Sequence, residues 1–194
     1  MPPVWSPDGK QIIISGERWE EPHWFFTTLR VNSNGTGREK LAVPPEDTVH
    51  DWSPDGRWLL TASQRGAENR WQLYVMRPDG TEQRRITEGG HPFYARFSPD
   101  GRRVLYTDNA RGKESGIWVV DVDGKNGRQV FPTDIETISP ASACWSPDGK
   151  RIAITLVIHS GAVRLPWPVR VVVMDLDVID IPAGASTTDM PDWR

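Results

Sequence analysis

The chain carries a single cysteine, Cys144, among 194 residues, so no disulfide can form within it. It has no apolar run of about 18 residues, which excludes a helix that spans a bilayer. It has no excess of positive charge: 23 Lys and Arg face 26 Asp and Glu, and no basic stripe stands apart from acidic neighbours, which argues against nucleic acid as a partner. The opening stretch, MPPVWSPDGK, has no apolar signal core. An export signal is therefore expected to be absent, already removed, or outside this stretch.

Recognisable catalytic patterns are missing as well. There is no Gly-x-Ser-x-Gly elbow, no His-Glu-x-x-His pair and no glycine-rich phosphate loop following a strand. The four histidines, His23, His50, His91 and His159, are far apart and lack ligand spacing. No catalytic residue, cofactor site or metal site is expected.

What the chain does have is repetition. WSPDGK at residues 5–10, WSPDGR at 52–57, FSPDGR at 97–102 and WSPDGK at 145–150 recur at aromatic-to-aromatic spacings of 47, 45 and 48. One further step of 48 reaches Trp193. Ser-Pro-Asp-Gly is a turn with a mechanical reason at each position. Pro presets φ near about −65°, Asp tolerates the bridge region, Gly supplies positive φ at the bulge of a hairpin loop, and the Ser hydroxyl can satisfy free amides of the turn. The aromatic before the turn ends one strand and is suited to packing between adjacent sheets.

After each turn comes a short β-rich run: residues 11–15, 58–62, 103–107 and 151–155. A second run follows a polar loop, at 24–31, 71–76, 116–122 and 169–176. In three repeats Asn34-Gly35, Asp79-Gly80 and Asp123-Gly124 close that run with another turn, and a last short strand follows. Four antiparallel strands at a period of 40–50 residues predict an all-β propeller blade. The blades are expected at about 1–47, 48–92, 93–140 and 141–188 of a single propeller domain, with 189–194 starting a further innermost strand. The fourth repeat has no Gly in Met174-Asp175-Leu176-Asp177-Val178-Ile179-Asp180, so its outer strand is in doubt.

These residues, the four SPDG turns together with the DG hairpin and Arg84–Thr87 (RRIT), resemble the repeat of TolB-type β-propellers over residues 1–180 or so. The resemblance implies a propeller scaffold. Such repeats occur in periplasmic proteins that bind partners and in propellers that gate peptidase sites. Propellers of this type usually have six or more blades. Four repeats therefore imply an incomplete ring, part of a larger propeller, or one piece of an assembly.

Individual residues are weighed against that scaffold. His50-Asp51 falls on an innermost strand near the central channel, and a wall residue bonded to its neighbours is the expectation rather than a site. Asp121 with Asp123, and Asp175 with Asp177 and Asp180, could present oxygens to calcium, but solvated turn residues are the better reading. Cys144 is expected to be a small buried hydrophobe. Of the ten tryptophans, Trp5, Trp52, Trp145 and Trp193, with Phe97, are repeat positions and are expected in the core. Trp24, Trp71 and Trp118 are expected between blades. Trp19 and Trp167 fall on predicted loops and are candidate partner anchors. If the ring stays open, Trp5 and Trp193 mark bare end faces that another polypeptide would cover.

The sequence thus points to a non-catalytic interaction or scaffold module, with a protein partner or a second copy of itself, periplasmic or extracellular, and able to join a larger, membrane-associated complex. Two other readings stay open. One is the substrate-gating propeller of a hydrolase whose catalytic domain lies outside this chain. The other is a propeller that binds a sugar or another small ligand through an aromatic and acidic loop face.

Overall fold

The computed structural model describes residues 2–20, 23–45, 47–66, 70–109, 115–133, 138–158 and 169–176. Every regular element among them is a strand. Three sheets have four strands in simple up-and-down order. The first holds β1 (Val4–Trp5), β2 (Gln11–Glu20), β3 (His23–Asn32) and β4 (Glu39–Lys40). The second holds β5 (Thr48–Trp52), β6 (Leu59–Ser63), β7 (Gln72–Met76) and β8 (Arg84–Arg85). The third holds β9 (Pro92–Phe97), β10 (Arg103–Asp108), β11 (Gly116–Asp121) and β12 (Arg128–Pro132). The fourth sheet shows β13 (Ile138–Trp145), β14 (Arg151–Ile158) and β15 (Val169–Asp175). Its outer strand would fall in residues 177–194, outside the described residues. All neighbouring strands are antiparallel, which makes each sheet a propeller blade.

The SPDG turn is built the same way four times. In the third blade the Ser98 amide donates to the Arg103 carbonyl at 2.8 Å, and the Gly101 amide donates to the Ser98 carbonyl at 2.8 Å. The Ser98 hydroxyl donates to Asp100 Oδ1 and accepts from the Arg103 amide at 2.9 Å. Asp100 Oδ1 also accepts the Arg102 amide at 3.0 Å. Gly9, Gly56, Gly101 and Gly149 hold φ between 69° and 73°, a region closed to most other residues. The turn satisfies its own polar groups, so it needs nothing from its neighbours to form.

The core lies in the seams between blades. One cluster joins Val4, Ile13 and Leu41 of the first blade to Val49, Trp52 and Leu59 of the second. Another joins Leu60, Leu73 and Val75 to Phe97 and Val104. The last joins Leu105, Ile117 and Val119 of the third blade to Ile152 and Ile154 of the fourth, with Trp145 packed against it. Strand alternation explains the division: Leu59 faces backward along the array and Leu60 forward.

Candidate interaction surface

The repeat aromatic always faces the preceding blade. Trp52 is 8% exposed and Phe97 6%, and Trp145 is half-buried. Trp5, at the same point of the first repeat, is 55% exposed, because no blade precedes it among the described residues. The expectation that all four repeat aromatics are core is therefore corrected at Trp5. Trp5 sits directly across from Ile12, and Ile14, 41% exposed, lies on the same face of β2. Together they form a bare apolar face at the front of the array.

A second apolar face, with no blade beyond it among the described residues, lies at the back. Ala153 pairs with Cys144 on one side and Val173 on the other, and Thr155 pairs with Ser142 and Val171. Val171 is 68% and Val173 55% exposed, while Ile152 and Ile154, one residue out of phase, are buried in the seam. Cys144 is exposed, which corrects the expectation of a buried thiol. It alternates with Trp145, so if the tryptophan turns into the seam the cysteine must turn away from it.

Polar clasps tie the covered seams. The Arg103 guanidinium of the third blade lies over the Trp145 ring of the fourth, 5.0 Å from its centroid, and Nη2 donates to the Gly149 carbonyl at 3.3 Å. Trp145 Nε1 donates to the Arg96 carbonyl at 3.3 Å. Arg84 donates to the Val122 carbonyl, and Arg128 to that of Leu176, each reaching from an outer strand to the next blade.

Between the second and third blades, Asp51 Oδ2 accepts the Phe97 amide at 2.8 Å, and the His50 carbonyl accepts from Arg96 Nη1 at 2.6 Å. Burial pushes the Asp51 carboxyl up, opposed by the Phe97 amide. His50, 3% exposed, accepts the Ala95 amide on Nδ1, and its Nε2 has no partner. Burial, reinforced by the nearby Arg96 charge, lowers the imidazole to about 3. His50 is thus a neutral seam residue.

The remaining candidates scatter. Asp121 accepts from the Asn126 amide group, and Asp123 from the Lys125 amide, both as turn residues. Asp175 lies 4.0 Å from Arg151, and Asp177 and Asp180 lie outside the described residues. No cluster of three or more His, Cys, Asp or Glu forms among the described residues. Trp19 is not on a loop: it lies within β2, opposite Trp24, because the β2–β3 hairpin runs to Glu20. Trp167 and Trp193 lie outside the described residues. The sequence reading missed Tyr94, 48% exposed with φ 48° on β9 where the register against β10 shifts. It also missed Ile14, Val171 and Val173, whose exposure depends on what lies beside the blade and leaves no local signal.

The four sheets and their seams define a β-propeller arc that does not close among the described residues, and the comparisons make it TolB-like in fold. No family model matches the chain. A stretch of 74 residues is 32% identical to the Tol-Pal system protein TolB of Rhizorhabdus wittichii, covering 38% of this chain and 16% of that protein. The fold is similar to crystalline TolB from Acinetobacter baumannii, with TM-score 0.67 and 22% identity over 92% of this chain and 41% of that one. It is also similar to the propeller domain of the trilobed protease from Pyrococcus furiosus, described as having an open velcro topology, with TM-score 0.64 and 12% identity over 90% and 54% of the two chains. The chain thus spans about half or less of these relatives.

Proposed function

We propose that this chain is a non-catalytic interaction module that binds protein through its uncovered blade faces. The contrast between Trp5 and Trp52 carries this reading: one repeat position is 55% exposed in the first blade and 8% in the second. A tryptophan ring in water beside Ile12 and Ile14 is the kind of aromatic anchor on which interfaces centre. The likeness to TolB supports an interaction role, and a periplasmic or extracellular location goes with it. The formal net charge of −3 fits a protein partner better than nucleic acid.

A photo-crosslinking residue at position 5 should trap a polypeptide in native extract, whereas the same residue at the exposed turn residue Asp79 should not. Equal labelling at both positions would overturn the reading. The likeness to a protease propeller favours a second reading, a substrate-gating domain whose catalytic unit is a separate part of the protein. Under either reading this chain hydrolyses neither peptides nor esters. Turnover abolished by replacing one Ser, Asp or His would refute both.

A further inference from the structure

The hairpin from β3 to β4 turns on Asn34-Gly35, and the one from β7 to β8 turns on Asp79-Gly80. The two turns are built alike. Asp79 Oδ1 accepts the Thr81 amide at 2.9 Å and the Thr81 hydroxyl at 2.6 Å. Asn34 Oδ1 accepts the Thr36 amide at 3.1 Å and the Thr36 hydroxyl at 2.7 Å. The Gly35 amide donates to the Asn32 carbonyl at 2.8 Å, as the Gly80 amide does to that of Arg77 at 2.9 Å, and the two glycines hold φ of 83° and 87°. The bonds to Asn34 use the oxygen that an amide and a carboxylate share, and not the amide nitrogen. A carboxylate therefore fits position 34 at least as well as the amide does. The Thr81 hydroxyl first, and the Thr81 amide second, hold Asp79 below the usual carboxylate range, so a turn of this build favours the charged acid.

We propose that Asn34 is a self-modifying position: it loses its amide to water through a cyclic imide, and the aspartate so formed takes over the turn. Gly35 has no side chain to crowd the attack of its backbone nitrogen on Asn34 Cγ. That nitrogen first releases the Asn32 carbonyl, an exposed bond that costs little to open. The attack forms the N–Cγ bond, and negative charge develops on Oδ1, where the Thr36 amide and hydroxyl already donate. The Gly35 proton passes to water, a solvent proton goes to the leaving nitrogen, the Cγ–Nδ2 bond breaks and ammonia departs. Water then adds to the imide. Addition at Cγ gives aspartate, seated on Thr36 as Asp79 is on Thr81; addition at the main-chain carbonyl gives the β-linked isomer, which lengthens the backbone and loses that seat. A second exposed pair, Asn126-Gly127, supplies the contrast. There the bonded atom is the leaving nitrogen: Asn126 Nδ2 donates to Asp121 Oδ2 at 2.6 Å. That charge-assisted bond must break before the nitrogen can leave, and an acid at 126 would then stand against the Asp121 carboxylate.

The purified chain is held in warm, mildly alkaline buffer made with heavy-oxygen water, digested at low pH and mapped by mass spectrometry. The peptide containing residue 34 should show the mass of an acid in place of an amide, with one heavy oxygen gained. It should convert about tenfold faster than the peptide containing residue 126, the factor that one charge-assisted hydrogen bond imposes. Asp121→Ala should close most of that gap by releasing Asn126, and should leave the rate at residue 34 unchanged. Asn34→Asp should melt at or above the temperature of the parent, and Asn126→Asp below it. An Asn34 still intact when a free peptide of residues 30–40 has fully converted would overturn the proposal. Equal rates at the two sites in the folded chain, or an Asn34→Asp chain that melts below the parent, would overturn it as well.

Discussion

His50 of the second blade accepts the Ala95 amide of the third on Nδ1, at 3.2 Å, inside a seam from which water is excluded. The imidazole must be neutral to accept that bond, and its value is lowered to about 3 by burial and by the Arg96 charge. The unfolded chain binds the proton near pH 6.5 and the folded chain only near 3, so the unfolded state carries more protons throughout that window. Stability therefore falls as pH drops from 6.5 towards 3. Replacing His50 by Asn, which keeps an acceptor but does not titrate, should flatten this limb in urea titrations at a series of pH values. An unchanged slope between pH 6 and 4 would contradict the seam placement.

The turn carboxylates act lower on the pH scale. Asp8, Asp100 and Asp148 are each held below the usual carboxylate range, first by the hydroxyl of the Ser two residues earlier and then by a backbone amide. Their contribution is present above the unfolded value near about 3.9 and is lost as pH falls through the lowered folded values. Ser98→Ala, which removes one such hydroxyl, should raise the Asp100 value in a carboxyl-carbon NMR titration, and should leave Asp148 where it was.

Trp52→Ala should cost about 3–5 kcal/mol, the range for deleting a large ring from a packed core. Trp5→Ala should cost the fold under about 1 kcal/mol, since its ring has no core to vacate. Chemical denaturation of the two variants, made under conditions where the chain is monomeric, separates them. Equal losses would mean that the front face is covered within one chain.

Glycines of the same conformation should differ in tolerance. Gly9 and Gly80 both hold positive φ, but a Cβ on Gly9 meets nothing, whereas one on Gly80 would run into the Ala42 carbonyl of the first blade. Gly9→Ala should cost about 1–2 kcal/mol from backbone strain alone, and Gly80→Ala clearly more, because backbone of the neighbouring blade must move. Gly101→Val, β-branched at φ 69°, should also destabilise. Thermal melts rank the three, and a Gly80→Ala chain as stable as Gly9→Ala would place the two blades further apart than described.

The turns, the strand order and the seam aromatics were legible in the sequence because each is encoded within a few residues. Ser98 to Arg103 contains every partner its turn needs. What was not legible depended on a neighbour. Trp5 and Trp52 have nearly identical surroundings in sequence, and only the presence or absence of a preceding blade decides which is wet. Cys144 was misread for the same reason. Trp19 was misread differently: Arg18-Trp19-Glu20 shows no alternation to distinguish a long hairpin arm from a loop. Tyr94 lies at a register shift, where period-two reasoning loses its phase.

Because each SPDG turn closes its own hydrogen bonds and each seam involves only two adjacent blades, a whole repeat can be duplicated or deleted in a gene without rewriting any other seam. Only the two flanking surfaces must recognise each other afresh, and both already belong to the same repeat type. Blade number in such a lineage is then cheap to change by recombination, while a single substitution at a seam tryptophan is not.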